Sequence, residues 1–346
     1  MFQRRMTISH CLYGLAILIA PSLVLAQKDT PITERKPIAI VDGEAVYMDQ
    51  APPMILGQIE RLRREYFDLQ KKALDEITGQ KLLEREAKRR GISLLTLMRT
   101  EIEGKVAEPT PDEVEAFDLG KSGHPFPGEH AAADPTSREL LKQARLEAAR
   151  QAYIKELWRA ERVLVFLDPP RSPTTIDPTR LRGNPNAAIR LVEFSDFSCP
   201  FCRRAESSLT KVLEHYKGIA SIAYRDFPLN DIHPQAELAA EASRCAADQR
   251  KYWEYHDLLF TADRPLTFDF LVAKASELSL DRTAFVSCLG QQKHKVDVQK
   301  DIEDGTRLGV MGTPAFFING IFLGGAQPVA EFERIIDSEL ASTRNN

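Results

Sequence analysis

The four residues Cys199-Pro200-Phe201-Cys202 constrain this chain more than any other stretch. They sit where a strand-like run, Ala188 to Phe194, gives way to a helical pattern opening at Arg203. Two thiols at such a junction are held as a dithiol or disulfide centre. The helix N-terminus offers unpaired backbone N–H groups and about half a positive charge, so a cysteine there ionises readily and its thiolate becomes the attacking species. Pro200 suits the first helical position, where a missing N–H costs nothing and a fixed φ fits the turn. Half of a zinc knuckle has the same spacing, but structural zinc needs a second ligand pair. The other cysteines, Cys11, Cys245 and Cys288, supply none, so the metal reading has no second half.

At Met311-Gly312-Thr313-Pro314 an X-Pro bond immediately precedes an apolar run, Ala315 to Ile318. A plain edge strand can begin this way. Together with the cysteine pair upstream, the arrangement resembles the thioredoxin superfamily, whose cis-proline loop faces the active-site disulfide. From about Asn184 to Leu340 the chain is similar to the DsbA branch of that superfamily, the periplasmic disulfide oxidoreductases. The stretches that carry the resemblance are Val192 to Cys202, Tyr224-Arg225-Asp226-Phe227-Pro228-Leu229, Lys251 to Phe260, and Gly312 to Gly320.

Length and composition agree with an exported protein in two parts. A chain of 346 residues predicts roughly two domains. Its first 26 residues carry Arg4 and Arg5, an apolar run from Cys11 to Leu25, and small or β-branched residues at Val24 and Ala26, which together read as a secretory signal cleaved after Ala26. An uncleaved anchor is the competing reading, and Pro21 interrupts it. No later segment approaches the ~18 apolar residues of a membrane span. Residues 27–346 would then work in the periplasm with four cysteines, an even count that favours pairing in an oxidising compartment. Losing Arg4 and Arg5 takes the formal charge from -4 to -6, so no basic field argues for nucleic acid, and the scattered histidines suggest neither metal nor cofactor.

Between the signal and the cysteine-bearing region, over residues 27–167, the pattern is helical. Leu56, Ile59, Leu62, Tyr66, Leu69, Ala73 and Ile77 recur at steps of three and four, one apolar stripe on a long helix. A second helix through Leu82, Leu83 and Ala87 is expected to end near Gly91, and a third to begin near Ser93. Thr110-Pro111-Asp112-Glu113 is a capping box with proline at its first helical position. After a Gly- and Pro-containing loop from Gly120 to Pro135, Ser137 is expected to cap a further helix, and Val163 to Leu167 to form a strand. Residues 168–180, with four prolines from Asp168 to Pro178, read as a semi-rigid linker. The helical region resembles the N-terminal domain of SurA-like periplasmic chaperones, through Ile40-Val41-Asp42-Gly43-Glu44, Leu82 to Ile92 and Pro109 to Val114. No parvulin catalytic domain follows. A client-holding domain, an oligomerisation domain and a spacer all remain open.

The fold expected is therefore an α/β thioredoxin-like domain at residues 181–346, with a helical insert at 233–305, behind a mainly α-helical N-terminal domain. Strands are expected at 188–194, 219–225, 315–318 and 321–323. Asn319-Gly320 makes a type I′ hairpin between the last two, because both turn positions need positive φ. The resemblance implies that Cys199 is the exposed nucleophile and Cys202 the resolving thiol. It further implies that Glu193 is a buried acid exchanging a proton with Cys202, and that Pro200, Phe201, Thr313 and Pro314 line the substrate groove. It also implies a second disulfide between Cys245 and Cys288; two free thiols are the alternative. Phe201 cannot donate a hydrogen bond to Cys199, which predicts a weaker oxidant than the Pro-His members of the family. Arg203 and Arg204 either offset this or form a solvated face. Expected partners are unfolded or misfolded exported proteins, a membrane redox partner and a second copy of the chain. Isomerase, reductase and holdase roles stand as alternatives to oxidase.

Overall fold

Residues 36–122, 135–161 and 163–344 are described by the computed structural model; the signal expected at residues 1–26, Cys11 and most of the loop expected at Gly120 to Pro135 lie outside them. The helical region opens with a small hairpin, β1 (Ala39–Val41) and β2 (Glu44–Val46), which turns through Asp42 and Gly43 at φ 49° and 86°. Helix α1 (Pro53–Arg90) follows, stopped by Gly91 at φ 67° and carrying Lys88, Arg89 and Arg90 against the negative end of its dipole. It is one helix where two were expected, since nothing between Ile77 and Leu82 breaks it. Gly79 serves packing there: a Cβ would stand 2.9 Å from Ile154 Cδ1.

Ser93 caps α2 (Leu94–Glu101) through a 3.1 Å bond from Thr96 N–H. The capping box at α3 (Pro111–Ser122) closes both ways, Glu113 N–H to Thr110 Oγ1 at 3.3 Å and Thr110 N–H to Glu113 Oε2 at 2.8 Å. Helix α4 (Pro135–Ala160) begins at the proline, not at Ser137, which is buried inside its first turn. Leu82, Leu83, Leu97, Ile102, Tyr153, Ile154 and Leu157 form the core these helices share. Val163 to Leu167 is not a strand: it pairs with no other strand among the described residues, and Leu164, Val165 and Phe166 are exposed.

The proline-rich segment, residues 168–180, is tied down along its length. Ser172 N–H donates to Gly320 at 2.9 Å, Ser172 Oγ donates to Glu60 of α1 at 2.8 Å, and Arg171 clamps Glu339 with two 2.7 Å bonds. Near its N-terminal end α1 itself lies against the second domain. Gly57 touches the Thr306 carbonyl too closely to admit a side chain, and Arg64 donates to the carbonyls of Leu308 and Gly309 while its guanidinium lies 4.2 Å over the Phe322 ring.

That second domain is built on a five-stranded sheet of order β3-β5-β4-β6-β7. Strand β4 (Ile189–Ser195) is central and almost wholly buried, which explains its near-continuous apolar run. It pairs in parallel with β5 (Ala220–Asp226) across the crossover helix α5 (Pro200–His215), and antiparallel with β6 (Ala315–Ile318). Strand β7 (Ile321–Gly324) returns from β6 through Asn319 and Gly320 at φ 48° and 86°. Gly320 is needed twice there, since a Cβ would also meet the Ser172 carbonyl at 2.8 Å. A short β3 (Leu181–Gly183), not foreseen from the sequence, closes the other edge against β5.

Helices α5 and α11 (Val329–Arg344) cover one face through Leu191, Leu209, Val212, Phe316 and Phe332. Val192, Phe194, Ala223 and Phe317 pack the other. The expected long helical stretch is five helices: α6 (Ala236–Asp248), α7 (Tyr252–Phe260), α8 (Phe268–Glu277), α9 (Arg282–Gly290) and α10 (Lys295–Arg307). A buried ion network pins this insert to the sheet. Arg180 donates to Asp226 and Asp301 at 3.0 and 2.9 Å, Arg244 of α6 to the same pair at 2.7 and 2.6 Å, and Arg225 of β5 to Asp301 at 2.5 Å. Buried charges survive only when paired and hydrogen-bonded in this way.

Candidate active site

Strand β4 ends at Ser195, and the chain turns on Asp196 before α5 begins. Asp196 is buried and accepts from Ser198 N–H at 2.8 Å and Leu229 N–H at 3.0 Å, with His233 Nδ1 at 2.7 Å from the same carboxylate. It ties the cysteine-bearing turn to the start of the insert. Sequence reading passed over it; a carboxylate three residues before the first cysteine, at a turn, was the available signal. Cys199 is the N-cap of α5 and Pro200 its first residue.

Cys199 and Cys202 are free thiols here and both are buried, so Cys199 is not the exposed nucleophile expected of it: it caps the helix from beneath the Thr313–Pro314 loop, and the two sulfurs differ in their hydrogen-bond partners rather than in their exposure. The Cys199 thiol is pulled down to about 5, first by a hydrogen bond from Cys202 and then, against burial, by the N–H groups of Cys202 and Phe201 and by Thr313. The Cys202 thiol is pushed far up, chiefly by burial and next by its bond to Cys199. Cys199 Sγ lies 3.5 Å from the Thr313 carbonyl, and the Thr313–Pro314 bond is cis. Phe201 is half exposed beside them, with Arg204 5.0 Å over its ring, so this arginine lies against the phenyl face.

Glu193 is fully buried on β4, with Oε1 lacking any hydrogen-bond partner, and its carboxyl is held well above the usual range by burial and by Glu206. Glu206, on the second turn of α5, was not singled out from the sequence. Burial and the Asp257 carboxylate raise it to about 7, against Arg182. His256 stands 4.0 Å from it. Its Nδ1 faces Asp257 at 2.9 Å and Nε2 faces Glu206, while burial lowers its pKa and favours the neutral ring. A cavity of about 320 Å³ lined by Glu193, Glu206, Arg182, Trp253 and His256 gives this acid pair its own opening. His256 also packs in the aromatic core with Phe197, Tyr224 and Phe260, where the tyrosine and tryptophan of the Lys251 to Phe260 run belong.

A larger cavity, about 1150 Å³, runs from Thr313 and Pro314 along β7 to α1, where Arg61, Arg64, Asp68 and Lys71 form its far wall. Cys245 and Cys288 are joined by a disulfide that ties α6 to α9. His294 brings a ring nitrogen to within 4.8 Å of both sulfurs, a metal-like donor set that the S–S bond occupies.

Residues 175–338 match the thioredoxin family (Thioredoxin_4), and this part of the chain is a DsbA-like member of it. It carries the thioredoxin-like α/β fold, with the helical region α1 to α4 ahead of it. Among curated proteins the chain is 35% identical over 171 residues to the Na(+)/H(+) antiporter NhaA 1 of Salinispora arenicola, covering 49% of this chain and 26% of that one. It is 31% identical over 217 residues to the NhaA 1 of Mycolicibacterium gilvum, covering 60% and 35%. The chain thus spans about a third or less of the length of these relatives, and among the described residues no helix is long and apolar enough to cross a membrane. Similar solved structures include a thioredoxin-like oxidoreductase from Silicibacter pomeroyi, with 23% identity, TM-score 0.44 and coverage of 49% of this chain and 95% of that one. Oxidised BdbD from Bacillus subtilis gives 19%, 0.45, 50% and 99%.

Proposed function

We propose that the protein is an exported thiol:disulfide oxidoreductase that forms or rearranges disulfides in client proteins, with Cys199 as the attacking and Cys202 as the resolving thiol. The observation that carries the reading is the asymmetry of two buried thiols at one helix start: Cys199 at the N-cap, 3.5 Å from the Thr313 carbonyl and held down to about 5, and Cys202 a turn deeper and held up. In the donating direction the enzyme begins with Cys199 and Cys202 bonded to each other. A client thiolate attacks Cys199 Sγ, the bond between the two enzyme sulfurs breaks, and Cys202 leaves as a thiolate that takes a proton from the carboxyl of Glu193. A second client thiolate attacks its own sulfur in the mixed disulfide, and Cys199 leaves as the stabilised thiolate. The client loses two electrons, the enzyme gains them, and a membrane partner of the exporting compartment accepts them in turn.

A low pKa at Cys199 stabilises the reduced enzyme and makes it a better donor of disulfides. Backbone N–H groups, Thr313 and Cys202 supply that stabilisation where Phe201 supplies none from its side chain. Isomerase action is the second reading, favoured by the long cavity beside Thr313 and Pro314, wide enough to hold a client while its pairings change. Trapping the thiols in cells with an alkylating agent tests the choice. An oxidised Cys199–Cys202 pair at steady state is expected; a reduced pair would overturn the oxidase reading in favour of isomerase or reductase.

A further inference from the structure

The middle of α1 carries an apolar seam that the described residues leave bare. Ile55, Ile59, Leu62, Tyr66, Leu69 and Ala73 recur at alternating steps of four and three, the period of a two-stranded coil rather than of a helix lying on a globular core. Ile59 is half-buried, whereas Leu62, Tyr66 and Leu69 are 55%, 63% and 66% exposed. The two ends of the helix are anchored elsewhere, at Leu56 and Gly57 against the thioredoxin-like domain and from Leu82 onward in the helical core. Arg64 and Lys71, which line the large cavity, follow Leu62 and Leu69 by two residues, about 200° round the helix. The apolar residues of the seam therefore face away from the cavity, whose near edge on this helix is Glu65.

The geometry points to a second copy of this chain as the occupant of the seam, with its α1 running antiparallel. In that register Tyr66 meets Leu69 of the other copy and Leu62 meets Ala73. The flanking positions then bring Glu65 opposite Lys72 of the second copy, and the two-fold axis repeats the pair. Neither Glu65 nor Lys72 is in an ion pair among the described residues, while the neighbouring Lys71 is bonded to Asp75 at 2.8 Å. A parallel pairing sets Glu65 against Gln70 and Lys72 against Ile77, which matches no charge. Only the antiparallel arrangement uses both free charges, and through Glu65 it brings the edge of each cavity next to the interface.

Sedimentation equilibrium of the purified protein is the test. A dimer is expected. Glu65→Lys alone and Lys72→Glu alone should each weaken it about tenfold by turning two attractive pairs repulsive, and the double reversal should restore it. Leu62→Asp with Leu69→Asp should give a monomer of unchanged helical circular dichroism, because neither side chain supports the monomer's core. A monomer at the highest soluble concentration, a larger assembly, or a dimer whose single reversals do nothing overturns the proposal. So does a double reversal that fails to restore association.

Discussion

The β4–α5 junction and the middle of α1 are both regular structure with a clear sequence pattern, yet the two differ in what completes them. At the junction the strand and the helix find cover within the chain, with Phe201 the exception: Val192 and Phe194 on one side of the sheet, Leu191 on the other, Cys202 and Ala205 beneath the helix. Along α1 from Leu62 to Ile77 the apolar stripe finds no cover among the described residues. Period alone says that an element has an apolar face. Only the tertiary structure says whether that face has already been used, and an unused one directs attention to what lies outside the chain.

The sharpest way to break this contrast is at the thiols. Cys199→Ser should abolish dithiol exchange. Cys202→Ser should keep the nucleophile and accumulate mixed disulfides with clients, visible as reductant-sensitive adducts on gels. Equal trapping by both variants would erase the asymmetry on which the proposed roles depend.

Next in size is the ion network that holds the insert over the junction. Asp301→Ala removes the one carboxylate that Arg180, Arg225 and Arg244 all share, leaving three buried arginines with Asp226 between Arg180 and Arg244 and Asp304 on Arg225, and removing one member of such a set costs about 3–5 kcal/mol. Denaturant unfolding should show a loss of that order. A loss under about 1 kcal/mol would mean that water reaches the arginines and that the insert is held by its apolar core instead.

Glu193→Gln keeps the shape and removes the exchangeable proton. Positioned acid–base groups contribute on the order of 10²-fold or more, so the step in which Cys202 leaves should slow by roughly that factor, with attack at Cys199 little changed. Stopped-flow measurement of the two steps separates them, and equal slowing of both would assign Glu193 a packing role.

The pH dependence of Cys199 follows from its lowered thiol. Alkylation should be half-maximal near the value of about 5 and should fall tenfold per pH unit well below it. A depressed folded-state pKa contributes stability that is full above the ordinary thiol value of 9.0 and is lost as pH falls through the folded value. The dithiol form should accordingly lose stability relative to the disulfide form as pH falls from about 9 to about 5 and change little below that. Paired melts of the two forms across this range are the check, and a difference that grows toward acid would reverse the sign.

Much of the junction was legible because its code is local. Cys199 to Cys202 with Pro200 at the helix start, Asn319-Gly320 in the tight turn, and the Thr110 to Glu113 box each fix their geometry within a few residues. What escaped depends on distant partners. Glu206 matters because α5 folds it against Glu193 and His256, and Asp301 because α10 carries it to Arg180 and Arg225. Asp168 to Pro178 reads as a semi-rigid linker from its prolines, and its bonds from Ser172 to both Gly320 and Glu60 come from no local rule. The split expected in α1 failed for the converse reason: Gly79, which weakens a free helix, is tolerated because Ile154 of α4 fills the space over it.

The smallest expected effect sharpens the contrast most. Leu83 in the helical core is 1% exposed, and Leu69 is 66% exposed on the same helix. Leu83→Ala should cost about 2–5 kcal/mol through lost burial and the cavity left behind. Leu69→Ala removes a side chain already in water and places a strong helix former there, so the isolated chain should change by no more than about 0.5 kcal/mol. The measurement has to be made by denaturant unfolding at a dilution where association contributes nothing, and then repeated at high concentration. If Leu69→Ala costs little when dilute but markedly more when concentrated, the stripe is used between copies. A cost of about 2 kcal/mol even at dilution would show that α1 buries Leu69 within one chain, and the difference between the two regions would disappear.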